Sequence, residues 1–385
     1  MRTELEEAAA TDSLRRLRQA TTLAGDRALF EGRELLHLAS NDYLGLATAG
    51  QEVAGSDSLP WGAGASRLVS GNHPFVEAFE QAFASFKQME AALLFNSGYT
   101  ANIGILSALC RRGDLIFSDR LNHASIIDGA LLSRAELLRY RHRDMNELEH
   151  LLKTSAPNKR KLIVTDAIFS MDGTLAPLAD LVTLKERYGA LLMVDEAHSG
   201  GLFGDDGQGL TQHFGLSARV DIQMGTFSKA YGRFGAYVAC EALIRDYLLN
   251  KSRAFIYTTA LPPVLVAAIR ENWLRARAER WRRERVLALA SAFRAGLAER
   301  GFDTGGSECQ IVPLIVGDNG RAQRLAKQLQ ERGVLAVAIR PPTVPQGSAR
   351  IRFSWTAAHC EADVQAVLAA IDACADDNER GDDDE

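Results

Sequence analysis

Leu191-Leu192-Met193-Val194-Asp195-Glu196-Ala197-His198 is the stretch that decides the fold. Its apolar run, with Ala190 before it, suits a strand buried on both faces. The run ends in an aspartate, and a buried carboxylate is costly unless something pairs with it. Lys161 to Phe169 has the same apolar character, and further strands are predicted at Ala91 to Phe95, Leu115 to Ser118, Asp221 to Thr226 and Ala236 to Cys240. Helical patterns lie between them. His73 to Lys87 carries Phe75, Phe79, Phe83 and Phe86 at helical spacing, and Gly98 to Cys110 and about Ser125 to Leu132 follow. Strand and helix in alternation predict an α/β fold, a mostly parallel sheet with helices on both sides. Ligands in such sheets bind beyond the carboxyl ends of the strands. Ser97-Gly98, Ser170, Asp195 and Thr226 all fall at such ends.

Outward from this centre the pattern changes. The first twenty residues read as an amphipathic helix, and a hairpin-like stretch leads to Leu38-Ala39-Ser40-Asn41-Asp42-Tyr43-Leu44-Gly45-Leu46. The Gly-rich loop Trp61 to Asn72 does not match the dinucleotide fingerprint, and no clear strand precedes it. Pro262-Pro263 opens a long helical region to about Arg300. Beyond it, strands near Gln310 to Val316 and Ala349 to Ser354, and a last helix ending near Cys374, predict a smaller α+β domain. The expected division is an N-terminal helix and arm over 1–45, a large domain over 46–270, a small domain over 271–375 and a disordered acidic tail over 376–385.

Composition narrows the function. With 385 residues the chain can bury a large core, and 46% hydrophobic with 24% charged residues is the balance of a soluble globular protein. A net charge of -5 gives no global field toward nucleic acid. The basic run Arg275, Arg277, Arg280, Arg282, Arg283, Arg285 is interrupted by Glu279 and Glu284, which suits a solvated helix face with ion pairs. The apolar runs are too short to span a bilayer, and the charged N-terminus lacks a signal-peptide core. Cys110, Cys240, Cys309, Cys360 and Cys374 form no C-x-x-C pair, so they read as reduced thiols of a cytoplasmic protein, and no ligand spacing points to a metal.

The chemistry gathers around Thr226-Phe227-Ser228-Lys229. A lysine after a strand can be desolvated, which favours Schiff-base formation with an aldehyde. Asp195 can keep a pyridine nitrogen protonated. His198, three residues on, and Ser170 can reach a phenolic oxygen, and His123 can stack on a flat ring. Gly98 and Tyr99 open a helix whose N-H groups can hold a phosphate, with the Thr226 hydroxyl beside them. Taken singly, each residue also suits a structural role as a cap, turn or loop residue. Together they make the constellation that holds pyridoxal 5'-phosphate (PLP), a cofactor that carries hard chemistry while the protein orients it.

These strings resemble the α-oxoamine synthase family, within the fold-type I PLP enzymes. The resemblance runs from Ser40-Asn41-Asp42-Tyr43-Leu44-Gly45 to Arg350-Ile351-Arg352-Phe353-Ser354-Trp355-Thr356-Ala357-Ala358-His359. It implies an acyltransferase that joins a small amino acid to an acyl thioester with loss of carbon dioxide. Gly64 to Gly71 and Ala338-Ile339-Arg340-Pro341-Pro342-Thr343-Val344-Pro345 are similar to the biotin-pathway branch, which takes L-alanine and a pimeloyl thioester on coenzyme A or a carrier protein. The resemblance implies Lys229 as Schiff-base lysine and proton-transfer base, Asp195 against the pyridinium nitrogen, His198 and Ser170 on the phenolic oxygen, and His123 on the ring. It implies Gly98, Tyr99 and Thr226 on the phosphate, and Thr258 or Thr259 on the phosphate of a neighbouring subunit in a homodimer. Arg352 would clamp the amino-acid carboxylate, and Arg15, or Arg16 in its place, and Thr343 would contact substrate. Glu196, where some relatives have a second aspartate, is expected to be peripheral. The residues alone leave open a glycine- or serine-using relative and a PLP aminotransferase.

Overall fold

The computed structural model describes residues 1–10, 14, 17–23, 25–48 and 58–382. Its main sheet has seven strands: β1 (Ala91–Phe95), β2 (Leu115–Asp119), β3 (Glu136–Tyr140), β4 (Lys161–Asp166), β5 (Leu191–Asp195), β6 (Ile222–Thr226) and β7 (Ala236–Cys240). They lie in the order β1-β7-β6-β5-β4-β2-β3. The pairs from β6 through β5, β4 and β2 to β3 are parallel, and β7 is antiparallel to both β6 and β1. The reversal follows from length. Phe227 to Gly235, between β6 and β7, is shorter than the dozen or so residues that a parallel crossover needs.

Every residue of β1, β2, β4, β6 and β7 is buried, and β1 and β7 are continuous apolar runs as such burial favours. β3 was not foreseen. It is an edge strand with only Tyr140 buried, so its apolar signal is weak. Helix Gly98–Leu109 buries Ala101, Ile105 and Leu106 against Met193, Met224 and Val238 of the sheet. Helix Pro74–Phe86 starts at an N-cap histidine, His73, with proline in the first turn, where a missing N-H is harmless. Its Phe79 and Phe83 meet Phe227, which lies two residues before Lys229, at ring separations of 5.8 and 5.1 Å. Such edge and tilted pairs add to simple area burial.

The chain groups into two compact units, one of 41–170 and 174–285, the other of 1–40, 171–173 and 286–385. The boundary expected at 270 falls inside helix Pro263–Ala278. That helix is bound into the sheet unit by Asn272, whose amide donates to Leu46 O and Tyr231 O, and by Trp273 against Phe79 and Phe83. In the other unit, the hairpin Arg27–Phe30 and Arg33–His37 pairs in parallel with Val334–Leu335, which ties the N-terminal residues to the C-terminal portion. Strands Ile311–Gly317, Ala349–Ser354 and Val337–Ile339 form an antiparallel sheet in the same unit. The N-terminal helix spans Arg2–Ala10 rather than the first twenty residues, and Ala20–Thr22 is a strand paired with Arg27–Phe30. The last helix runs past Cys374 to Asp382, through most of the expected acidic tail. No proline interrupts that segment, and its one glycine, Gly381, comes at the helix end.

Candidate active site

The sheet delivers its polar residues to one end. In the sheet unit a cavity of about 220 Å³ is lined by residues from the carboxyl ends of β4, β5 and β6 and from the segments that follow β1, β2, β4, β5 and β6. Gly98, Tyr99, His123, Ser170, Asp195, His198, Thr226 and Lys229 all line it. The sequence had placed each of them at a strand end or just beyond, so their convergence follows from the parallel topology.

Lys229 sits in the hairpin connection between β6 and β7, which is pinned by main-chain bonds from Phe227 N to Gly235 O and from Gly232 N to Lys229 O, both 2.8 Å. Its Nζ lies 2.7 Å from His198 Nε2. His198 Nδ1 lies 2.6 Å from the hydroxyl of Tyr43, which in turn donates to Asn41 Oδ1 at 3.1 Å. One proton assignment satisfies the whole chain: the amine donates to Nε2, Nδ1-H donates to Tyr43, and Tyr43 donates to Asn41. Tyr43 belongs to the Ser40 to Gly45 string, but nothing in the sequence shows that it reaches a histidine 155 positions away.

Asp195 is buried at the end of β5. Its Oδ1 accepts the N-H of Ala197 and its Oδ2 accepts from Asn102 Nδ2, both at 2.9 Å. Asp166 ends β4 in register with Asp195, so two buried carboxyls stand side by side. Burial, then the charge of Asp195, push the Asp166 carboxyl well above the ordinary carboxylate range. Asp166 Oδ2 accepts the His123 N-H at 2.8 Å. Burial lowers the pKa of His123, which favours its neutral form. Asn102 and Asp166 were missed by sequence reasoning. Asn102 lies one helical turn beyond Gly98, and Asp166 ends an apolar run as Asp195 does, and that second position was the available signal.

The helix Gly98–Leu109 begins with a capping box between Ser97 and Thr100. Helix starts leave N-H groups without intrahelical acceptors, and the dipole favours an anion there. A Cβ on Gly98 would meet only the Thr226 side chain, at 3.7 Å. Thr226 Oγ1 donates to Gly235 O at 2.8 Å and accepts from Ser228 N at 3.1 Å. The Tyr99 hydroxyl donates to Asp128. This donor set fits PLP: an amine for the aldehyde, a buried carboxylate for the ring nitrogen, and a capped helix start beside a hydroxyl for the phosphate.

Arg352 is in the second unit, buried on strand Ala349–Ser354, with Nη1 bonded to Ser354 Oγ at 2.7 Å. Thr343 is in an exposed loop of that unit. Arg15 and Arg16 lie outside the described residues. Thr258 Oγ1 accepts from Asn96 Nδ2 at 3.0 Å, and Thr259 O accepts from the same amide at 3.2 Å. Burial pushes the thiols of Cys110, Cys240 and Cys309 up to about 12, so they are poor nucleophiles. Glu196 does not line the cavity. It is fully buried and forms an ion pair with Lys87.

Residues 33–371 match the family model for class I and II aminotransferases. The chain is 57% identical over 93% of its length to a Geobacillus kaustophilus protein named as a candidate 8-amino-7-oxononanoate synthase, and it covers 93% of that protein. It is 48% identical to the 8-amino-7-oxononanoate synthase of Geobacter sulfurreducens, covering 96% of each chain. The chain belongs to the α-oxoamine synthases of the class I and II aminotransferase family. An α-oxoamine synthase fold is also what the solved structures display. A variant of serine palmitoyltransferase from S. paucimobilis with bound PLP and myriocin superposes with a TM-score of 0.89 at 29% identity, over 97% of this chain and 96% of that one.

Proposed function

We propose that this protein joins L-alanine to a pimeloyl thioester to give 8-amino-7-oxononanoate, carbon dioxide and the free thiol carrier, a step of biotin synthesis. The observation that carries the reading is Lys229, held against His198 in the cavity that Asp195 closes at the sheet end. The 48% identical Geobacter sulfurreducens relative bears the name of that synthase. PLP supplies, when bound, an electron sink for the charge left on the amino-acid α-carbon.

The chain's own residues do the rest. Asp195, fixed by Ala197 and Asn102, holds a negative charge where the pyridine nitrogen would lie. Lys229 Nζ holds and returns a proton, and the Tyr43-His198 contact keeps the Nε2 lone pair aimed at it. Gly98, Tyr99 and Thr226 hold the phosphate, Ser170 and His198 bind the phenolic oxygen, and His123 lies against the ring. Arg352 clamps the amino-acid carboxylate, with Arg15 and Thr343 as further substrate contacts.

We read the active form as a homodimer in the cytoplasm. No helix among the described residues is long and apolar enough to cross a membrane. Light scattering is expected to give twice the 42.0 kDa of one chain. The function is tested by mass spectrometry after mixing PLP-loaded protein, a pimeloyl thioester and alanine, glycine or serine. Product with alanine alone supports the reading. Product with glycine or serine alone moves the protein to another branch, and transamination without a thioester overturns it.

A further inference from the structure

The geometry points to Asn102 as a positioning residue that, through Ser125, ties Asp195 to His123 and holds His123 as the tautomer with its proton on Nε2. The amide of Asn102 has two N-H bonds, and both are used. One goes to Asp195 Oδ2 at 2.9 Å and the other to Ser125 Oγ at 2.8 Å. The opposite orientation of the amide would set Oδ1 against the Asp195 carboxylate, so the carboxylate fixes which end faces it. Oδ1 is left buried without a partner. An unsatisfied buried carbonyl is costly, and it is the consequence of aiming both N-H bonds at the site.

Ser125 Oγ therefore accepts from Asn102, and its own proton is available for His123 Nδ1 at 2.7 Å. The backbone N-H of Ser125 converges on the same Nδ1 at 3.3 Å, because His123 is the N-cap of helix Ala124–Ser133. Two donors on one nitrogen require a lone pair there, so the proton of the neutral ring sits on Nε2. Burial, which lowers the pKa of His123, supports the neutral ring. Asn102 and Ser125 are themselves buried, which shields the bonds from water. The consequence for the reaction rests on the PLP reading: the group that pairs the ring nitrogen and the group that lies on the ring face are held as one unit.

The test is nitrogen-15 histidine NMR of the full chain, with and without PLP, the His123 signals being assigned by their loss in His123→Gln. The expected result is a protonated Nε2 and a bare Nδ1 at neutral pH, with a shifted Nδ1 signal in Ser125→Ala, where only the backbone N-H at 3.3 Å still points at that nitrogen. Protonated Nδ1 in the parent, or an Nδ1 signal unchanged in Ser125→Ala, overturns the proposal. A second readout is the turnover of Asn102→Ala, Ser125→Ala and the double variant. Coupled residues give a double variant no slower than about the slower single one, whereas multiplying effects contradict the linkage. The spectrum without PLP tests the bond chain alone. A failed tautomer with normal product overturns the inference and leaves the function standing, and a correct tautomer without product does the reverse.

Discussion

Asp195 and Glu196 are neighbours in the chain and both are buried, yet they have opposite fates. Successive side chains near a strand end point to opposite sides. Asp195 faces the cavity, where its oxygens accept from Ala197 N and Asn102 Nδ2. Glu196 faces the interior, where the Lys87 ammonium closes on Oε2 and the Thr211 N-H bonds Oε1 at 2.8 Å. Lys87 also donates to Gln208 O. Gly209 has a φ of +121°, and a Cβ there would collide with the Glu196 carboxylate, so only glycine allows so close an approach. One carboxylate is enclosed by a cation and the packed chain. The other lies on a cavity wall that a cationic ring nitrogen can reach. The lysines divide the same way: Lys87 is locked in the interior, and Lys229 lines the cavity.

The contrast yields graded expectations. Lys229→Ala should lower turnover by about 10²–10⁴-fold or more, with a urea midpoint close to the parent's. A large loss of stability with little loss of turnover would reverse the two lysines' roles. Glu196→Gln should lower the unfolding free energy by about 3–5 kcal/mol, because it strands a buried ammonium. Lys87→Met with Glu196→Leu should recover most of that loss in urea unfolding, since an apolar pair of similar volume needs no charge partner. A Glu196→Gln variant as stable as the parent would remove the interior half of the comparison.

Asp166 extends the contrast to pH. Its folded carboxyl holds a proton above the ordinary value of 3.8. Above 3.8 the folded chain therefore binds more protons at this site than the unfolded chain. The stability that it contributes is full below that value and is lost as pH rises through the folded pKa. Asp166→Asn cannot ionise and its amide oxygen can still accept the His123 N-H, so urea midpoints of variant and parent should diverge in the variant's favour as pH rises. Parallel curves would show that Asp166 is not held protonated. The smallest effect is expected at the cavity's helix start. Ser97→Ala removes a capping box and should cost about 1 kcal/mol in unfolding, with weaker PLP binding by fluorescence.

Much of this was legible beforehand, for identifiable reasons. β4 and β5 are buried along almost their whole length, so each carries a mostly apolar run, and each ends in an aspartate that lines the site. Parallel topology then brings Gly98, His123, Asp195 and Lys229 together without further information. The direction of β7 was available from the short Phe227 to Gly235 connection but not from strand composition. The Lys87-Glu196 pair was not legible, because its partners lie 109 positions apart and each alone resembles a surface charge. The Tyr43-His198 contact was hidden for the same reason. Asn102 sits mid-helix, where an asparagine carries no positional signal until its partners are known.

The most direct test of the account is to load the protein with PLP, fix the cofactor linkage by borohydride reduction, and map the modified peptide by mass spectrometry. The pyridoxyl mass is expected on the peptide carrying Lys229, with Lys87 unmodified. The mass on any other lysine, or no modification in a protein that binds PLP, would contradict the assignment of this cavity and of Lys229.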